Sequence, residues 1–414
     1  MKIWERLIWL VTWSSLYAVG GENSWTFTFI NGNLSCMIFN LSSESDIGNY
    51  SFLSNKTEEL IFINASLDSF DLTEAMQKIT PWKISISASN VTRVIFPAKM
   101  TPSVVNLRNM TIEDLVFNEN TRIQDFRADY TTLQSVTPTI SKLTALDILW
   151  VAHSELTNFS FDVLLNSSIS LLYLVGNKIE TISVNPAMVC CKNLEEIFLS
   201  DNRLKQLDFR VISLMVNLKT IFLEGNQLAD LNMSIDMTHR FSNVAQDGRA
   251  YNEEAIEFCS WHTYHSRKVR NEFPAEETSV PNCTDYFASL LSIHLARNKI
   301  EQVNFKHFAL MNSLNSLDMS HNMLTNLSSK ANEVPIRLSE LFVSNNNITD
   351  VYLTPFLSLK ALYIYDNNVK VLNMSSLPKD IDYLNLINNP INCNEMPHMN
   401  SSTNFPTIGP YTEC

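Results

Sequence analysis

Apolar residues recur along most of this chain in one fixed frame. Between Leu218 and Leu228 the sequence reads LKTIFLEGNQL, which has the form L-x-x-L-x-L-x-x-N-x-L. The alternating L-x-L predicts a short strand, because strand side chains point alternately to opposite faces. The asparagine that follows predicts a turn out of the strand. Recurrence of this repeat at a nearly constant period predicts a solenoid in which each repeat stacks on its neighbours.

The polar position of the frame can be aligned from one repeat to the next. The aligned residues are Asn120, Ser154, Asn177, Asn202, Asn226, Asn298, Asn322, Asn346, Asn367 and Asn389. They predict a leucine-rich-repeat solenoid of the α/β class, with a curved parallel β-sheet on its concave face. Upstream, Val91, Val94 and Phe96 are interpreted as a degenerate repeat, and Leu60 to Leu67 as another.

The pattern divides the chain into six segments. They are a signal peptide (1–20), an N-terminal cap with degenerate repeats (21–90), repeats (91–232), an insertion (233–285), further repeats (286–392) and a C-terminal cap (393–414). The insertion is inferred because 72 residues separate Asn226 from Asn298 and the frame disappears between them. Its stretch around Arg267 and Lys268 is basic and is interpreted either as a clamp for an acidic partner or as a solvated loop.

The first residues have the pattern of a secretory signal. Lys2 and Arg6 precede the apolar run Leu7–Val11, and small residues at Ala18 and Gly20 suit cleavage. A retained signal anchor is the alternative. No later stretch approaches the ~20 apolar residues that a membrane-spanning helix needs. The sequence therefore predicts a secreted, extracellular protein without a membrane span.

Sequons for N-glycosylation are frequent, and they are densest near the N-terminus. This cluster comprises Asn33, Asn40, Asn49, Asn55 and Asn64. It predicts a glycan-coated flank that is not the main contact surface.

Seven cysteines fit an oxidising compartment. Cys393 and Cys414 are predicted to pair in the C-terminal cap, and Cys259 with Cys283 inside the insertion. Cys36, Cys190 and Cys191 remain unassigned, so one of them stays free or links two chains into a disulfide-bonded oligomer. Zinc binding by cysteine thiolates is the alternative, although no second C-x-x-C or nearby histidine pattern accompanies them.

Charge and motifs narrow the class of function. The net charge of −13 and the pI of about 5.1 argue against nucleic acid, whose binding requires neutralising phosphates. No H-E-x-x-H, G-x-S-x-G or G-x-x-x-x-G-K motif occurs. We therefore expect a non-enzymatic protein without a cofactor. An active site assembled only in three dimensions is the alternative.

The residue between the two strand leucines of each repeat is predicted to face outward on the concave side. In chain order this column reads Val116, Trp150, Tyr173, Phe198, Phe222, His294, Asp318, Phe342, Tyr363 and Asn385. Four consecutive aromatics, from Trp150 to Phe222, predict a contact surface for a protein partner. Glu196, Asp201 and Glu224 are predicted to form its acidic rim and to favour a basic partner. The alternative is that the rings stack only to stabilise the sheet.

Taken together, several features resemble the secreted leucine-rich-repeat immune proteins of mosquitoes. They are the signal peptide, the segment NLSCMIF around Cys36, the sequon-rich flank, the repeats and the sequence NNPINC leading to Cys414. No heptads follow the repeats, so the members without a coiled coil are the closer match. The resemblance implies a haemolymph protein of innate immunity, and in some members of that family the partner is a complement-like thioester protein.

Three classes of function follow. The chain is interpreted as a secreted recognition protein that binds another protein through its concave face. A matrix or adhesion protein is the alternative, and its binding would tolerate changes in the aromatic column. A secreted enzyme would instead lose its activity when a few polar residues are changed.

Overall fold

The computed structural model describes most of the chain between residues 25 and 391, together with 16–17 and 407–408. The gaps lie at 31, 33, 44–49, 99, 166, 185–190, 210–211, 213–214, 230, 232–286, 288, 310, 331–332 and 374–375. The chain forms two compact units. The first comprises Met1–Phe159 and Val163–Lys178, and the second comprises Ser160–Asp162 and Ile179–Cys414.

Short strands make up nearly all the regular structure that is described in the first unit. They are Leu16–Tyr17, Thr26–Ile30, Ser35–Phe39, Glu59–Ile63, Ser66–Asp71, Lys83–Ser87, Asn90–Phe96, Val104–Met110, Asp114–Phe117, Asp125–Thr131, Ile148–Ala152 and Leu171–Tyr173. Among the described residues of this unit, Thr73–Lys78 is an α-helix, and Tyr50–Phe52 and Pro138–Lys142 are 3-10 helices. Strand Asn158–Ser160 and the 3-10 helix Phe161–Leu164 contain residues of both units.

Short strands also make up most of the regular structure that is described in the second unit. Its strands are Thr181–Ser183, Glu196–Phe198, Thr220–Phe222, Ser292–His294, Ser316–Asp318, Asn326–Leu327, Glu340–Phe342, Asp350–Val351, Ala361–Tyr363, Tyr383–Asn385 and Thr407–Ile408. The 3-10 helix Phe305–Phe308 begins at Asn304, whose side chain accepts a hydrogen bond from the Lys306 amide. Across the described part of the chain the segments that return between strands are therefore mostly turns, with very little α-helix.

In each unit one strand per turn pairs in parallel with that of the next turn, forming what we call the inner sheet. The predicted leucine positions point into the core. Leu194, Ile197 and Leu199 of one turn are at most 1% exposed, as are Leu338, Leu341 and Val343 of another. Each turn buries these side chains only against its neighbours, which is the arrangement that the apolar frame predicts.

From Ser154 onward a polar side chain closes each described turn where the chain leaves the inner sheet, at a position that we call the slot. Asn298 shows the full pattern. Its Oδ1 accepts the Leu228 amide at 3.0 Å, and its Nδ2 donates to the carbonyls of Leu223, Leu295 and Ala296 at 3.0 to 3.2 Å. The slot thus satisfies backbone groups of two successive turns that would otherwise be buried without partners.

In the first unit hydroxyl side chains occupy this position at Ser89, Thr131 and Ser154, whereas Asn177 keeps the asparagine. The hydroxyl of Ser154 accepts the Thr131 amide at 3.1 Å, as predicted for this position. Ser89 accepts the Ala65 amide in the same way, and Thr132, one residue past the equivalent position, accepts the Ile112 amide. A hydroxyl has fewer hydrogen-bonding groups than an amide, so the L-x-x-N signature weakens in this part of the sequence.

The first unit has a second parallel sheet on the side opposite to the inner sheet, which we call the outer sheet. Its strands are Ser66–Asp71, Asn90–Phe96 and Asp114–Phe117. Two sequence assignments are therefore wrong. Val91, Val94 and Phe96 belong to the outer sheet, and so does Val116, which does not lie in the inner-sheet column.

Asn120 was aligned with the slots, and this assignment is also wrong. Its Oδ1 accepts the amides of Arg122 and Ile123 in its own turn, whereas the residue that follows the left-handed Tyr130 at the end of the inner strand is Thr131. The error arose because both sheets in this region have alternating apolar residues, and the asparagine after the outer strand resembles a slot.

A hairpin begins the inner sheet. Thr26–Ile30 pairs antiparallel with Ser35–Phe39, which then pairs in parallel with Glu59–Ile63. Leu16–Tyr17, inside the predicted signal peptide, pairs antiparallel with Thr26–Ile30. At the other end Thr407–Ile408, from the predicted C-terminal cap, pairs in parallel with Tyr383–Asn385.

The turns on either side of the predicted insertion are direct neighbours. Thr220–Phe222 pairs in parallel with Ser292–His294, with Phe222 opposite His294. The bond from the Leu228 amide to Asn298 joins the same two turns. The predicted insertion, residues 233–285, lies outside the described residues. So do the predicted disulfide residues Cys259, Cys283, Cys393 and Cys414.

Two of the remaining cysteines are described. Cys36 is a free, fully buried cysteine, and burial raises the pKa of its thiol to about 12. It therefore stays protonated at neutral pH and lies out of reach of a second chain. Cys191 is disulfide-bonded, and its partner lies outside the described residues. The predicted link between chains through an unpaired cysteine does not pass through either residue.

Candidate functional site

The candidate site is the outward face of the inner sheet. In every three-residue strand of the second unit's inner sheet the central side chain is buried and the two flanking side chains are partly or fully exposed. Because the strands pair in register, the third residues of successive strands stand side by side. This alignment confirms the predicted column from Phe198 to Asn385 within the second unit.

In the first unit the column ends in a stacked aromatic pair. The rings of Trp150 and Tyr173 lie 3.5 Å apart between centroids and are tilted by 6°. The guanidinium of Arg127, on the preceding strand, lies 5.4 Å from the Trp150 ring centroid. Asp125 holds that guanidinium with bonds of 2.9 Å from Nε and 2.8 Å from Nη2. The hydrogen bond to Asp125 raises the pKa of Arg127, so the cation on the ring is permanent.

In the second unit the column begins with a stack of three rings. Phe198 and Phe222 lie 4.4 Å apart at 9°, and Phe222 and His294 lie 4.5 Å apart at 15°. Both ring nitrogens of His294 have a polar neighbour that fixes the orientation of the ring. Its Nε2 lies 2.9 Å from the Ser292 hydroxyl, and its Nδ1 lies 3.8 Å from Glu224. The stack is therefore a pre-organised surface of parallel rings.

The three residues of the predicted acidic rim lie at different places around this stack. Glu196 is on the Phe198 strand, two residues before the ring and on the same face. Glu224 lies two residues after Phe222, where it accepts a hydrogen bond from the Ser200 hydroxyl.

Asp201 stands farther out, in the left-handed position just before the slot. It has a φ of 56° and lies 3.9 Å from Arg297. Gly225, with a φ of 66°, leaves the space that the Asp201 carboxylate occupies, because a Cβ there would overlap Asp201 Oδ1. Asp201 therefore interacts with a cation of this chain, whereas Glu196 and Glu224 border the rings.

A second aromatic group, which the sequence reading did not single out, lies farther along the same column. Phe342 and Tyr363 stack at 4.3 Å and 10°, and Tyr383 lies 4.8 Å from Tyr363 at 39°. The pKa of Tyr363 is raised by partial burial, with the nearby Tyr383 and Glu340 contributing. The phenol therefore stays protonated and keeps its hydrogen-bond donor at neutral pH.

Charge distinguishes the inner-sheet faces of the two units. In the first unit the outward cations Lys83, Arg108 and Arg127 each pair with a carboxylate of the same face, namely Glu59, Asp129 and Asp125. In the second unit the outward strand positions carry Glu196, Asp318 and Glu340 but no lysine or arginine. The face of the second unit is therefore aromatic and anionic, with its charges not neutralised by basic residues of the same strands.

Each described turn from Ser154 onward thus combines an L-x-L strand, a left-handed or glycine turn and an asparagine or serine slot. The chain has a leucine-rich-repeat fold. No protein-family model matches it.

Solved structures with leucine-rich repeats are similar to this chain. A leucine-rich-repeat protein of Leptospira interrogans is 17% identical, with a TM-score of 0.46 and coverage of 82% of this chain and 86% of that one. A leucine-rich-repeat protein of Bacteroides eggerthii is 13% identical, with a TM-score of 0.47 and coverage of 81% and 55%. The structure of the Toll–Spatzle complex of Drosophila matches at 14% identity, with a TM-score of 0.44 and coverage of 92% and 58%.

The leucine-rich-repeat register explains which site residues the sequence missed. Arg127 is the column residue next to Trp150. The sequence alignment misses it because taking Asn120 as a slot places Val116 in the column of that repeat. The stacking of His294 on Phe222 follows from the pairing of strands across the 72-residue gap. The second aromatic group could have been found from the sequence, because Phe342 and Tyr363 are aromatic residues at neighbouring column positions.

Sequons are exposed throughout the described part of this leucine-rich-repeat chain. Asn40, Asn55 and Asn64 of the predicted cluster are exposed, and Asn33 and Asn49 lie outside the described residues. Asn40 and Asn64 occupy left-handed positions of adjacent turns, and the Asn64 amide donates to Asn40 Oδ1 at 2.7 Å. These positions border the inner sheet of the first unit.

The described ranges lack two other kinds of site. No group of three or more histidine, cysteine, aspartate or glutamate side chains there is arranged to hold a metal ion. No helix in those ranges is long and apolar enough to cross a membrane.

Proposed function

We propose that this chain is a secreted recognition protein that binds another protein through the inner-sheet face of its second unit. The observation that carries the proposal is the stack of Phe198, Phe222 and His294, bordered by Glu196 and Glu224 and without a lysine or arginine on the same strands. Aromatic residues at the centre of a surface are frequent binding hot spots. Carboxylates without a cationic partner favour a basic counterpart and speed its association.

The resemblance to the mosquito immune proteins supplies the biological setting of the proposal. In that setting the protein acts outside the cell in innate immunity, and its partner is a complement-like thioester protein. The first unit serves mainly as scaffold, because its outward charges are already paired within the same face.

Secretion is tested through glycosylation. Expressed in insect cells, the full chain is expected in the medium, with a mass that falls after peptide-N-glycosidase treatment. Because that enzyme converts each modified asparagine to aspartate, peptide mapping should find aspartate at positions 40, 55 and 64. Retention of an unglycosylated protein inside the cells would contradict secretion.

The binding face is tested by zero-length coupling of carboxylates to amines. A carbodiimide suits this surface, because the second unit's inner-sheet strands offer carboxylates but no lysine at their outward positions. In extracellular fluid the native protein should form links from Glu196 and Glu340 to lysines of one partner. Glu301 and Asp350, which are exposed outside the inner sheet, are the internal controls.

The location of the links decides between the classes of function. Links concentrated on Glu196 and Glu340 support recognition through the inner sheet. Links only at sites such as Glu301 and Asp350 would contradict it and favour a matrix or adhesion role through another surface.

A further inference from the structure

The column of parallel rings in the second unit is interrupted at one strand. Before the interruption lie Phe198, Phe222 and His294, and after it lie Phe342 and Tyr363. Between His294 and Phe342 the column position is Asp318. We call this position, with His294 and Phe342 as its walls and Asp318 at its base, the notch.

The width of the notch follows from the sheet. His294 and Phe342 are two strands apart, which is about 10 Å at the usual spacing of paired strands. The stacked rings on either side repeat at 4.4 to 4.5 Å and at 4.3 Å, so this gap equals about two stacking intervals. It therefore has the width for one more planar group between the two rings.

The chemistry at the base selects a cation. Asp318 Oδ1 accepts the Ser320 amide at 2.8 Å, which anchors the carboxylate, while Oδ2 has no hydrogen-bond partner among the described residues. Glu340 adds a second negative charge two residues before Phe342. A cation that is also planar can stack on the rings and pair with the carboxylate, and the arginine guanidinium is the planar side-chain cation that is fully charged at neutral pH.

The first unit contains an internal example of the same combination. There Arg127 stands in the column beside Trp150, 5.4 Å from the ring centroid, while Asp125 binds its guanidinium through both oxygens. Asp318 and Phe342 repeat the carboxylate and the ring, but no outward position of the second unit's inner-sheet strands carries an arginine.

We propose that the notch binds an arginine side chain of the partner protein, which completes the ring column between His294 and Phe342. This inference rests on the proposed function and specifies the chemistry of the partner at the same surface. It predicts a partner segment that presents an arginine to the centre of the face, with apolar groups on either side against Phe222 and Tyr363.

The test uses three short peptides and the full-length protein. They are acetyl-Gly-Arg-Gly-amide and its counterparts with lysine or citrulline in place of arginine. Calorimetric titration or ligand-observed NMR should show the arginine peptide binding with millimolar affinity. Citrulline has a planar group of the same shape as the guanidinium but no charge, and lysine has the positive charge but no planar group. Each should bind more weakly by about fivefold or more.

Variants locate the binding. Asp318→Asn keeps the acceptor for the Ser320 amide but removes the charge, and should weaken the arginine peptide about tenfold or more. Glu301→Gln makes the same change of charge at an exposed site off the face and should leave binding unchanged. Asp318→Phe fills the notch with a ring and should abolish binding in a folded protein.

The outcomes separate this inference from the proposed function. The proposed arginine site is wrong if the native protein binds the arginine and citrulline peptides equally. It is also wrong if the Asp318→Asn and Glu301→Gln variants bind the arginine peptide equally. If the native protein binds no arginine peptide while partner capture still requires Phe198 and Phe222, the notch is wrong and the proposed function stands. If free arginine binds well but no arginine-containing protein binds, the inference that the notch binds an arginine of a partner protein is also wrong.

Discussion

Replacing Asn298 by alanine is expected to lower the free energy of unfolding by about 3 to 5 kcal/mol. The substitution removes the acceptor of the Leu228 amide and the donor to three carbonyls, all of them buried. A buried backbone group left without a partner costs about 1 to 3 kcal/mol, and water can reach only some of these groups. Asn298 is the slot that joins the two turns flanking residues 232–286. The hydrogen bonds that the substitution removes therefore all lie where these two turns meet.

Two readouts check this result. Urea unfolding should shift to a lower midpoint, and hydrogen exchange should accelerate in the segment that contains the Leu228 amide. Asn298→Ser is the graded control, because Ser154 already fills a slot by accepting one amide, so an intermediate loss is expected. Asn315→Ala, at an exposed asparagine whose side chain donates at 3.5 Å to Arg337, should cost less than about 0.5 kcal/mol. Unfolding and exchange curves of Asn298→Ala that superimpose on the native curves would contradict the role of the slot.

The double variant Phe198→Ser with Phe222→Ser is expected to weaken partner binding by about 100-fold or more. Aromatic hot spots lose about 2 kcal/mol or more each when truncated, although the two losses are not simply additive. The effect on folding should be small. The stacked pair contributes about 0.5 to 1.5 kcal/mol, and both rings are only partly buried, so the variant should still be secreted.

The matched control is Ile336→Ser with Leu357→Ser. Both residues are strongly exposed, at 63% and 76%, and both lie outside the inner-sheet strands of the same unit. The control removes two large apolar side chains without touching the column, so partner affinity measured by biolayer interferometry should not change. Equal loss in both double variants would show that apolar surface in general matters. Failure of the phenylalanine variant to fold would show that the column is structural.

Much of the fold was accessible from the sequence because leucine-rich repeats are local. Each strand buries its own L-x-L leucines, so Ile197 and Leu341 are fully buried where the frame predicts. The slots from Ser154 to Asn389 follow the same logic, since an amide or hydroxyl at one fixed position serves the backbone of its own turn and of the turn before. The prediction failed where a second sheet imposed a competing alternation, as at Val116 and Asn120.

The sequence by itself determined the period, the buried face, the slots and the outward position of Trp150, Tyr173, Phe198 and Phe222. It did so because these properties depend on residues within one turn. Only the tertiary structure decided which outward side chains meet, because stacking and charge pairing join residues of different turns. It put Arg127 on Trp150, carried the Phe198 and Phe222 stack across the 72-residue gap to His294, and left Asp318 between two rings. Those neighbours are set by strand register, which no single repeat encodes.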